Sequence, residues 1–206
     1  MVGEVGKRTN EILPPLLIFL LGLIIGKIIK INALIVENIA ITWLYILIGL
    51  IGIEVGVSGK EIIRSAINGI KDGLKLTISV LIGDIIAALI LYKVLNENIK
   101  YAIIISLGSG WYSLTGPFLS IYNPYFGIIG FISNLLREVY TLSLFPLLYQ
   151  YFDNSSIAMG GATTMDTTLG IIIRYSGLKN GSSALIQGLI ITIILPILFP
   201  LIIGLH

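Results

Sequence analysis

Long apolar runs, separated by short polar stretches, constrain this chain more than any other feature of its sequence. Several runs reach or approach the roughly 18 to 20 residues that a helix needs to cross a bilayer. Hydrophobic residues make up 56% of the chain and charged residues 12%, whereas soluble domains usually carry about 25% charged residues. A soluble bundle of this size has too little interior to hide so many apolar helices. The sequence therefore predicts an integral membrane protein.

Hydropathy predicts an all-α, polytopic protein with about seven membrane segments, arranged as a single transmembrane domain over residues 1–206. The polar stretch 59–73 places isoleucines on one helical face and charges mostly elsewhere, which favours a short amphipathic helix on the membrane surface over an ordinary polar loop. We expect membrane segments at about 12–29, 39–57, 75–95, 101–122, 124–152, 155–173 and 181–205.

The basic residues predict an orientation. With seven crossings, eight lysines and arginines fall on one side of the membrane and four on the other. Because cytoplasmic loops are enriched in basic residues, we expect a cytoplasmic N-terminus and an external C-terminus, provided that every segment crosses. The richer side contains Lys7, Arg8, Lys60, Arg64, Lys71, Lys75, Arg174 and Lys179, and the other contains Lys27, Lys30, Lys93 and Lys100.

The chain lacks the side chains that many enzymes and metal sites use. It has no cysteine, and its single histidine is the last residue, His206. These counts exclude disulfides, thiolate nucleophiles and histidine relays inside the membrane. An intramembrane serine protease would lack a base, and Asp84 in LIGDII lacks the glycine-x-glycine-aspartate pattern of intramembrane aspartyl proteases. The sequence therefore predicts no enzyme, no metal site and no cofactor, and its net charge of +2 does not indicate nucleic-acid binding.

Two predicted segments carry small and hydroxyl-bearing residues where a lipid-facing helix has leucines. Glycines and Pro117 weaken helical hydrogen bonding, and backbone freed in this way must be enclosed, since unsatisfied groups cost several kcal/mol in lipid. Close helix packing explains one such segment. Two of them, one with a carboxylate, favour a translocation site built from two discontinuous helices. The breaks are GSGWYSLTGP at 108–117 and GGATTMDTTLG at 160–170.

Four carboxylates fall inside predicted segments, namely Glu54, Asp84, Glu138 and Asp166. A charge at the centre of a membrane helix costs at least about 2.5 to 3.5 kcal/mol, so each is a functional candidate. Glu54 lies near the end of its segment, where it reaches the interface. The alternative role of Asp84 is a structural hydrogen bond or ion pair to another helix. Asn134 lies one helical turn before Glu138 and shares its face.

Alternative roles also exist for the two deeper carboxylates. A buried arginine–glutamate network that holds helices together is the alternative for Glu138, although the neighbouring Arg137 points away from it, toward a different carboxylate. The alternative for Asp166 is a helix cap within the second break, where Thr163, Thr164 and Thr167 are close in sequence.

GSGWYSLTGP, NLLREVYTLSLFPLL and GGATTMDTTLGIIIRYSG, in this order, resemble the LysO-type family of lysine exporters. The resemblance extends from about residue 12 to the end of the chain. It implies export of L-lysine and of toxic lysine analogues from the cytoplasm. It also implies that Glu138 matches an acidic residue used within the membrane, and that Asp166 matches the aspartate of the MD motif.

The chain departs from the family pattern in two respects. Bacterial members of this type carry an additional N-terminal membrane region, which we do not find here, and a further functional acidic residue belongs to that region. The resemblance therefore implies that Glu54 or Asp84 substitutes for it, or that a partner supplies it, either a small companion membrane subunit or a second copy in a homodimer. Gln187 stands where the family usually has a histidine.

The sequence thus predicts a multi-pass secondary transporter of the cell membrane that exports L-lysine and its analogues by proton antiport. We expect carboxylates to hold the ammonium groups of lysine, and backbone N–H groups of both glycine clusters to hold its α-carboxylate. The alternatives are a cation channel and a non-transporting subunit of a larger complex. The predicted substrate-binding residues are Glu138, Asp166, Asn134, Ser109, Gly108, Gly110, Thr163 and Gly161, and the predicted proton-coupling residues are Glu138, Asp84 and Glu54.

Overall fold

The computed structural model describes residues 17–29, 32–95 and 98–204, with only some of the side chains between residues 33 and 68. Most of these residues are helical and none of them lies in a strand, which confirms the predicted all-α class. The elements are α1 (Leu17–Ile28), α2 (Ala33–Leu95), α3 (Ile99–Leu107), α4 (Tyr112–Tyr122), α5 (Pro124–Phe152), a 3-10 helix (Asp153–Met165) and α6 (Leu169–Gly204).

Helix α2 is a continuous helix of 63 residues. At 1.5 Å per residue it is about 95 Å long, roughly three times the thickness of a bilayer core. The sequence predicted two membrane segments here, with a separate surface helix between them, and that separation is wrong. The stretch KEIIRSAI at 60–67 contains mainly good helix formers and no proline, so nothing in it ends the helix.

Three stretches of the described residues are long and apolar enough to cross a membrane, by length and composition. They are Gly69–Val94, Pro124–Met165 and Leu169–Gly204. These stretches fit a membrane protein. The count of seven crossings stays a prediction.

Helices α4 and α5 run antiparallel, joined at Asn123. A Cβ added to Gly116, near the start of α4, would lie 2.8 Å from the Cβ of Phe131. Near the end of α4, Ser120 packs against Gly127, which is closer to the start of α5. Residues later in α4 therefore contact residues earlier in α5, as in any antiparallel pair of helices.

Helix α3 runs in the same direction as α5. The ring of Tyr101 stacks on Phe126, with centroids 4.3 Å apart. Further along both helices, Asn134 Nδ2 donates a hydrogen bond of 3.0 Å to the carbonyl of Ile105. Since α3 is parallel to α5 and α4 is antiparallel to it, α3 and α4 form a hairpin. We call its turn, residues 108–111, the first tip.

The 3-10 helix and the first part of α6 form a second hairpin. Ile157 and Ile172, on its two arms, belong to one apolar cluster. Gly177 has a φ of 81° and reverses the chain again, so that Gly181 packs against Ile173. The rest of α6 then continues as a helix to Gly204 and packs against α2. We call residues 160–168, where this hairpin turns, the second tip.

Two buried apolar clusters lie at different levels of the bundle. The larger one joins α2, α3, α4, α5, the second tip and the C-terminal part of α6. The smaller one joins α5 to both arms of the second hairpin and to α6, and consists of Phe145, Ile157, Ile172 and Ala184. Both tips contact the larger cluster, through Ala162 and Trp111.

Close packing of α2 on α6 depends on glycines. A Cβ added to Gly73 would lie 2.7 Å from Ile186 Cβ and 2.9 Å from the carbonyl oxygen of Ser183. A Cβ added to Gly83, on the same helix, would meet nothing within 4 Å. Glycine therefore permits the close approach at position 73 and is not needed at position 83.

We expect Gly73→Ala to lower the free energy of unfolding by about 1 to 3 kcal/mol, because the methyl group overpacks the α2–α6 contact. The matched variant Gly83→Ala gains roughly 0.5 to 1 kcal/mol from the higher helix propensity of alanine. Equilibrium unfolding in detergent micelles measures both. Equal effects of the two substitutions would contradict this packing of α2 on α6.

Candidate substrate-binding site

The two tips meet backbone to backbone. The amide of Ala162 donates a hydrogen bond of 2.8 Å to the carbonyl of Ser109. Both turns need left-handed backbone, with φ of 50° at Ser109, 88° at Gly110 and 57° at Gly161. A Cβ at Gly161 would collide with the Ser109 carbonyl oxygen, so only glycine fits there. The bond between Ala162 and Ser109 satisfies a backbone amide of the second break and a backbone carbonyl of the first break.

Asn134 on α5 holds the first tip in place. Its Oδ1 accepts a hydrogen bond of 2.7 Å from the Gly110 amide, and its Nδ2 donates to the carbonyls of Ile105 at 3.0 Å and Gly130 at 2.9 Å. The side chain is buried. Asn134 therefore supports the site from behind and does not line its surface.

A recess with a volume of about 90 Å³ opens where the tips meet. Four of the predicted binding residues lie on its wall, namely Glu138, Asp166, Gly110 and Thr163. Glu138 is partly buried and Asp166 is exposed. The structure thus brings the two carboxylates to one recess, although they come from different elements. The remaining lining residues are Trp111, Tyr112, Ser113, Ala162, Met165, Thr167 and Thr192.

Asp166 interacts with its own neighbour in the second tip. Its Oδ1 accepts hydrogen bonds from the amide of Thr167 at 2.6 Å and from Thr167 Oγ1 at 3.3 Å. Behind it, the hydroxyls of Thr163 and Thr168 lie 3.2 Å apart. The local bonds of Asp166 fit the turn-holding role, while its place on the recess wall also leaves it accessible to a ligand.

Three predicted binding residues lie behind the recess. Gly108 is packed against Thr115 Oγ1 and the Asn134 amide, Gly161 is packed against Ser109, and Ser109 is fully buried. These residues do not line the recess. They form the turns that support it.

Asp84 is paired with Arg137. The Oδ1 of Asp84 lies 2.6 Å from Arg137 Nη1, and its Oδ2 accepts a hydrogen bond from Ser109 Oγ. Arg137 also donates to the carbonyls of Met159 at 2.9 Å and Ala158 at 3.4 Å. This confirms that Arg137 points to a carboxylate other than Glu138. The pair joins α2, α5 and both hairpins, so Asp84 fits its alternative role as a structural ion pair.

Glu54 belongs to α2, but its side chain lies outside the described residues. Gln187, on α6, is fully buried behind the second tip. Its Nε2 donates to the Gly161 carbonyl at 3.2 Å and to the Ile157 carbonyl at 3.4 Å. Gln187 therefore anchors the second break to α6.

The sequence analysis did not predict three residues that line the recess, namely Trp111, Tyr112 and Thr192. Trp111 and Tyr112 were visible only as part of a motif, and Thr192 only as a lone hydroxyl in the apolar run GLIITIILP. A hydroxyl in such a run is a weak signal, because threonine also bonds to its own helix in membrane segments. Here Thr192 Oγ1 contacts Met165 Sδ at 3.4 Å, which brings it to the second tip.

We expect Asp84→Asn and Arg137→Gln each to lower the free energy of unfolding by about 3 kcal/mol, the lower end of the range for breaking a buried pair, since Arg137 is 25% exposed. The double variant loses less than the sum of the two, with a coupling of roughly 0.5 to 3 kcal/mol. Equilibrium unfolding in micelles checks this cycle. Lys75→Gln, which breaks the exposed Asp72–Lys75 pair, is the control and costs under about 1 kcal/mol. Strict additivity would contradict the coupling.

Comparison with known proteins agrees with this arrangement of motifs. The family model described as "Lysine exporter LysO" matches residues 16–203. A "Putative lysine exporter" of Haemophilus influenzae is 35% identical over 162 residues, which cover 75% of this chain and 80% of that protein. The "Lysine exporter LysO" of Escherichia coli is 31% identical over 156 residues, which cover 75% of this chain and 52% of that protein.

The chain therefore spans about half the length of the Escherichia coli relative. No solved structure matches it. The family resemblance that the three ordered motifs indicate is confirmed, and its relatives are named as exporters, not as enzymes. The chain belongs to the lysine exporter family.

Proposed function

We propose that this chain is a secondary transporter that exports L-lysine, and lysine analogues, from the cytoplasm. The observation that carries the proposal is the convergence of Glu138 and Asp166 on one recess, at the point where two non-helical breaks meet. Broken helices that enclose a polar site are the usual construction of secondary transporters. The names of the two relatives support lysine as the cargo.

The two carboxylates account for recognition of a cationic amino acid. Lysine carries two ammonium groups and one carboxylate. Glu138 comes from α5 and Asp166 from the second tip, so two separate elements each contribute one carboxylate to the recess. An ammonium group held between carboxylates in a poorly hydrated site is bound far more strongly than in water.

The α-carboxylate of lysine needs donors, which the sequence analysis expected among the backbone amides of the two glycine clusters. The amides of Gly108, Gly110 and Ala162 already donate to Ile104, Asn134 and Ser109. The Tyr112 amide likewise donates to the Gly110 carbonyl at 3.0 Å. We therefore assign the carboxylate to Ser113, in the first turn of α4, which lines the recess. The positive end of the α4 helix dipole favours an anion at this position.

The size of the recess supports a carrier that changes conformation. Ligand pockets usually have volumes of about 300 to 1,000 Å³, whereas this recess has about 90 Å³. Lysine therefore enters only after the tips, α5 or α6 have moved.

The chain directions suggest a membrane arrangement that differs from seven simple crossings. Three long helices cross, and the two hairpins enter from opposite sides and turn back at their tips. Lys100 Nζ donates to the Ile203 carbonyl at 3.2 Å, which places it near the C-terminal end. Lys71, Lys75 and Lys179 lie at the opposite end, together with Arg174. The positive-inside rule then makes that end cytoplasmic and the C-terminus external.

We propose that protons compete with lysine for Glu138 and Asp166, which gives exchange of external protons for cytoplasmic lysine. Asp84 is a poor proton carrier in this scheme, because both of its oxygens already have partners. A proton-coupling role of Glu54 stays a prediction, because its side chain lies outside the described residues.

A second protein surface completes the site in this proposal. Asp166 and Thr167 are exposed although they line the recess, and carboxylates within membranes are almost always enclosed by protein or by a water-filled cavity. A second copy of the chain or a small companion membrane subunit would enclose them.

We expect Glu138→Gln and Asp166→Asn each to weaken lysine binding at least about thirtyfold, because removing one partner of a charge pair costs roughly 2 to 5 kcal/mol once the second protein surface encloses the recess. Efflux of lysine from preloaded vesicles, measured against external pH, tests both variants. Asp153→Asn is the matched control, since Asp153 is exposed and lies outside the recess.

The outcome separates the alternatives. Saturable flux that both variants lose supports a carrier with this site. Wild-type flux in both variants sinks the assignment of the site. Single-channel currents would indicate a cation channel. A change in assembly alone, with no lysine flux in the parent protein, would indicate a non-transporting subunit.

A further inference from the structure

A second polar cavity lies at the other end of the second hairpin. It has a volume of about 280 Å³ and is lined by α2, the start of the 3-10 helix and the middle of α6. Asp72 and Lys75 form an exposed ion pair on its rim. We call this cavity the vestibule, and its polar lining includes Asp72, Lys75, Ser79, Ser155, Asn180 and Ser183.

The vestibule and the recess lie on opposite sides of the smaller apolar cluster. Along the 3-10 helix the order is Ser155 in the vestibule, Ile157 in the cluster and Thr163 in the recess. Along α6 it is Ser183 in the vestibule and then Ala184 in the cluster.

The positions of Thr192 on α6 and Glu138 on α5 agree with this order. Thr192, in the recess, lies eight residues beyond Ala184, or about 12 Å along the helix. On α5, Glu138 in the recess lies seven residues before Phe145 in the cluster, or about 10 Å. Two elements, the 3-10 helix and α6, thus place one apolar layer between the two polar cavities, and α5 shows that the same layer lies apart from the recess.

Buried polar atoms without a partner flank this layer. Among the described residues they are Ser156 Oγ, Ser143 Oγ and Gln187 Oε1. Ser156 follows a vestibule residue and precedes Ile157, whereas Gln187 lies one turn beyond Ala184 on the side of the recess. Native proteins rarely leave buried polar groups unpaired, and each exception calls for an explanation. Groups that face water in another conformation provide one.

We propose that Phe145, Ile157, Ile172 and Ala184 form a closed gate between the recess and the vestibule, and that the path through the open gate is lined by Ser156, Ser143 and Gln187. The inference deepens the proposed function and rests on it, because it makes the vestibule the cytoplasmic entrance for the cationic amino acid. The vestibule suits that role, since its lining is polar and its one carboxylate, Asp72, is balanced by the ammonium group of Lys75, so no net positive charge repels a cation.

The second hairpin is the element that opens the gate. Ile157 and Ile172 are on its two arms, and they separate from Phe145 and Ala184 when its base swings away from α5 and α6. Its link to the rest of α6 is Gly177, which has a φ of 81° and no atoms within 4 Å of an added Cβ. The turn therefore has room to move.

The absence of cysteine allows a direct test by thiol labelling. Single cysteines replace Ser156 on the proposed path, Ser79 in the exposed vestibule and Ala88, which is fully buried in α2. The full chain in vesicles is treated with a membrane-impermeant cationic thiosulfonate from each side, with and without lysine. The rate of modification is the readout, so no transport activity is required.

We expect S79C to react quickly from one side whether or not lysine is present, and A88C not to react. S156C reacts only from the side that modifies S79C, and saturating lysine changes its rate at least about tenfold by shifting the population of open gates. If another basic amino acid changes the rate and lysine does not, the gate stands and lysine is the wrong cargo. Modification of S156C no faster than that of A88C, under every condition, overturns the gate.

A second variant tests the apolar layer itself. Adding Ile172→Ala to S156C removes part of the gate and makes modification fast without any amino acid present. Ile191→Ala is the matched control, since Ile191 is equally buried but belongs to the other apolar cluster. Equal labelling rates in the two double variants overturn the assignment of Ile172 to the gate.

Discussion

The hydrogen bond from the Ala162 amide to the Ser109 carbonyl joins two breaks that an apolar environment would otherwise forbid. Each tip exposes backbone that helical bonding no longer satisfies, and in lipid such groups cost several kcal/mol. The tips solve this problem for each other, with Asn134 and Gln187 bonding to the remaining groups from α5 and α6. The recess exists because two irregular turns must meet inside the protein.

The charged groups around the tips divide into two sets with different tasks. Arg137 and Asp84 neutralise one another and connect four elements. Glu138, the next residue along α5, points about 100° away around the helix and lines the recess with Asp166. One helix therefore separates a fixed, internally paired charge from a carboxylate that is open to a ligand. This division leaves one carboxylate accessible while the neighbouring charge contributes to the fold.

Much of the site could be predicted from the sequence, because glycine clusters and carboxylates are rare in apolar runs and therefore conspicuous. The glycine breaks pointed to both tips, and the spacing of Arg137 and Glu138 indicated that they face different partners. Chain direction could not be predicted in this way. Hydropathy measures how apolar a stretch is, but a hairpin that turns back and a helix that continues have the same apolar content. Ser109 and Gly161 were predicted as ligand-binding residues, because the sequence does not show that the two breaks contact each other. That contact places both residues behind the recess.

The direct succession of Arg137 and Glu138 also limits how this chain can change during evolution. Deleting or inserting one residue between Asn134 and Arg137 would rotate the rest of α5 by about 100° relative to the first tip. The guanidinium would leave Asp84, and the carboxylate would leave the recess, in a single step. Length variation within this turn of α5 is therefore excluded, whereas the turn at Gly177, with open space around it, tolerates it. Insertions and deletions among relatives should therefore be found around Gly177 and not between Asn134 and Arg137.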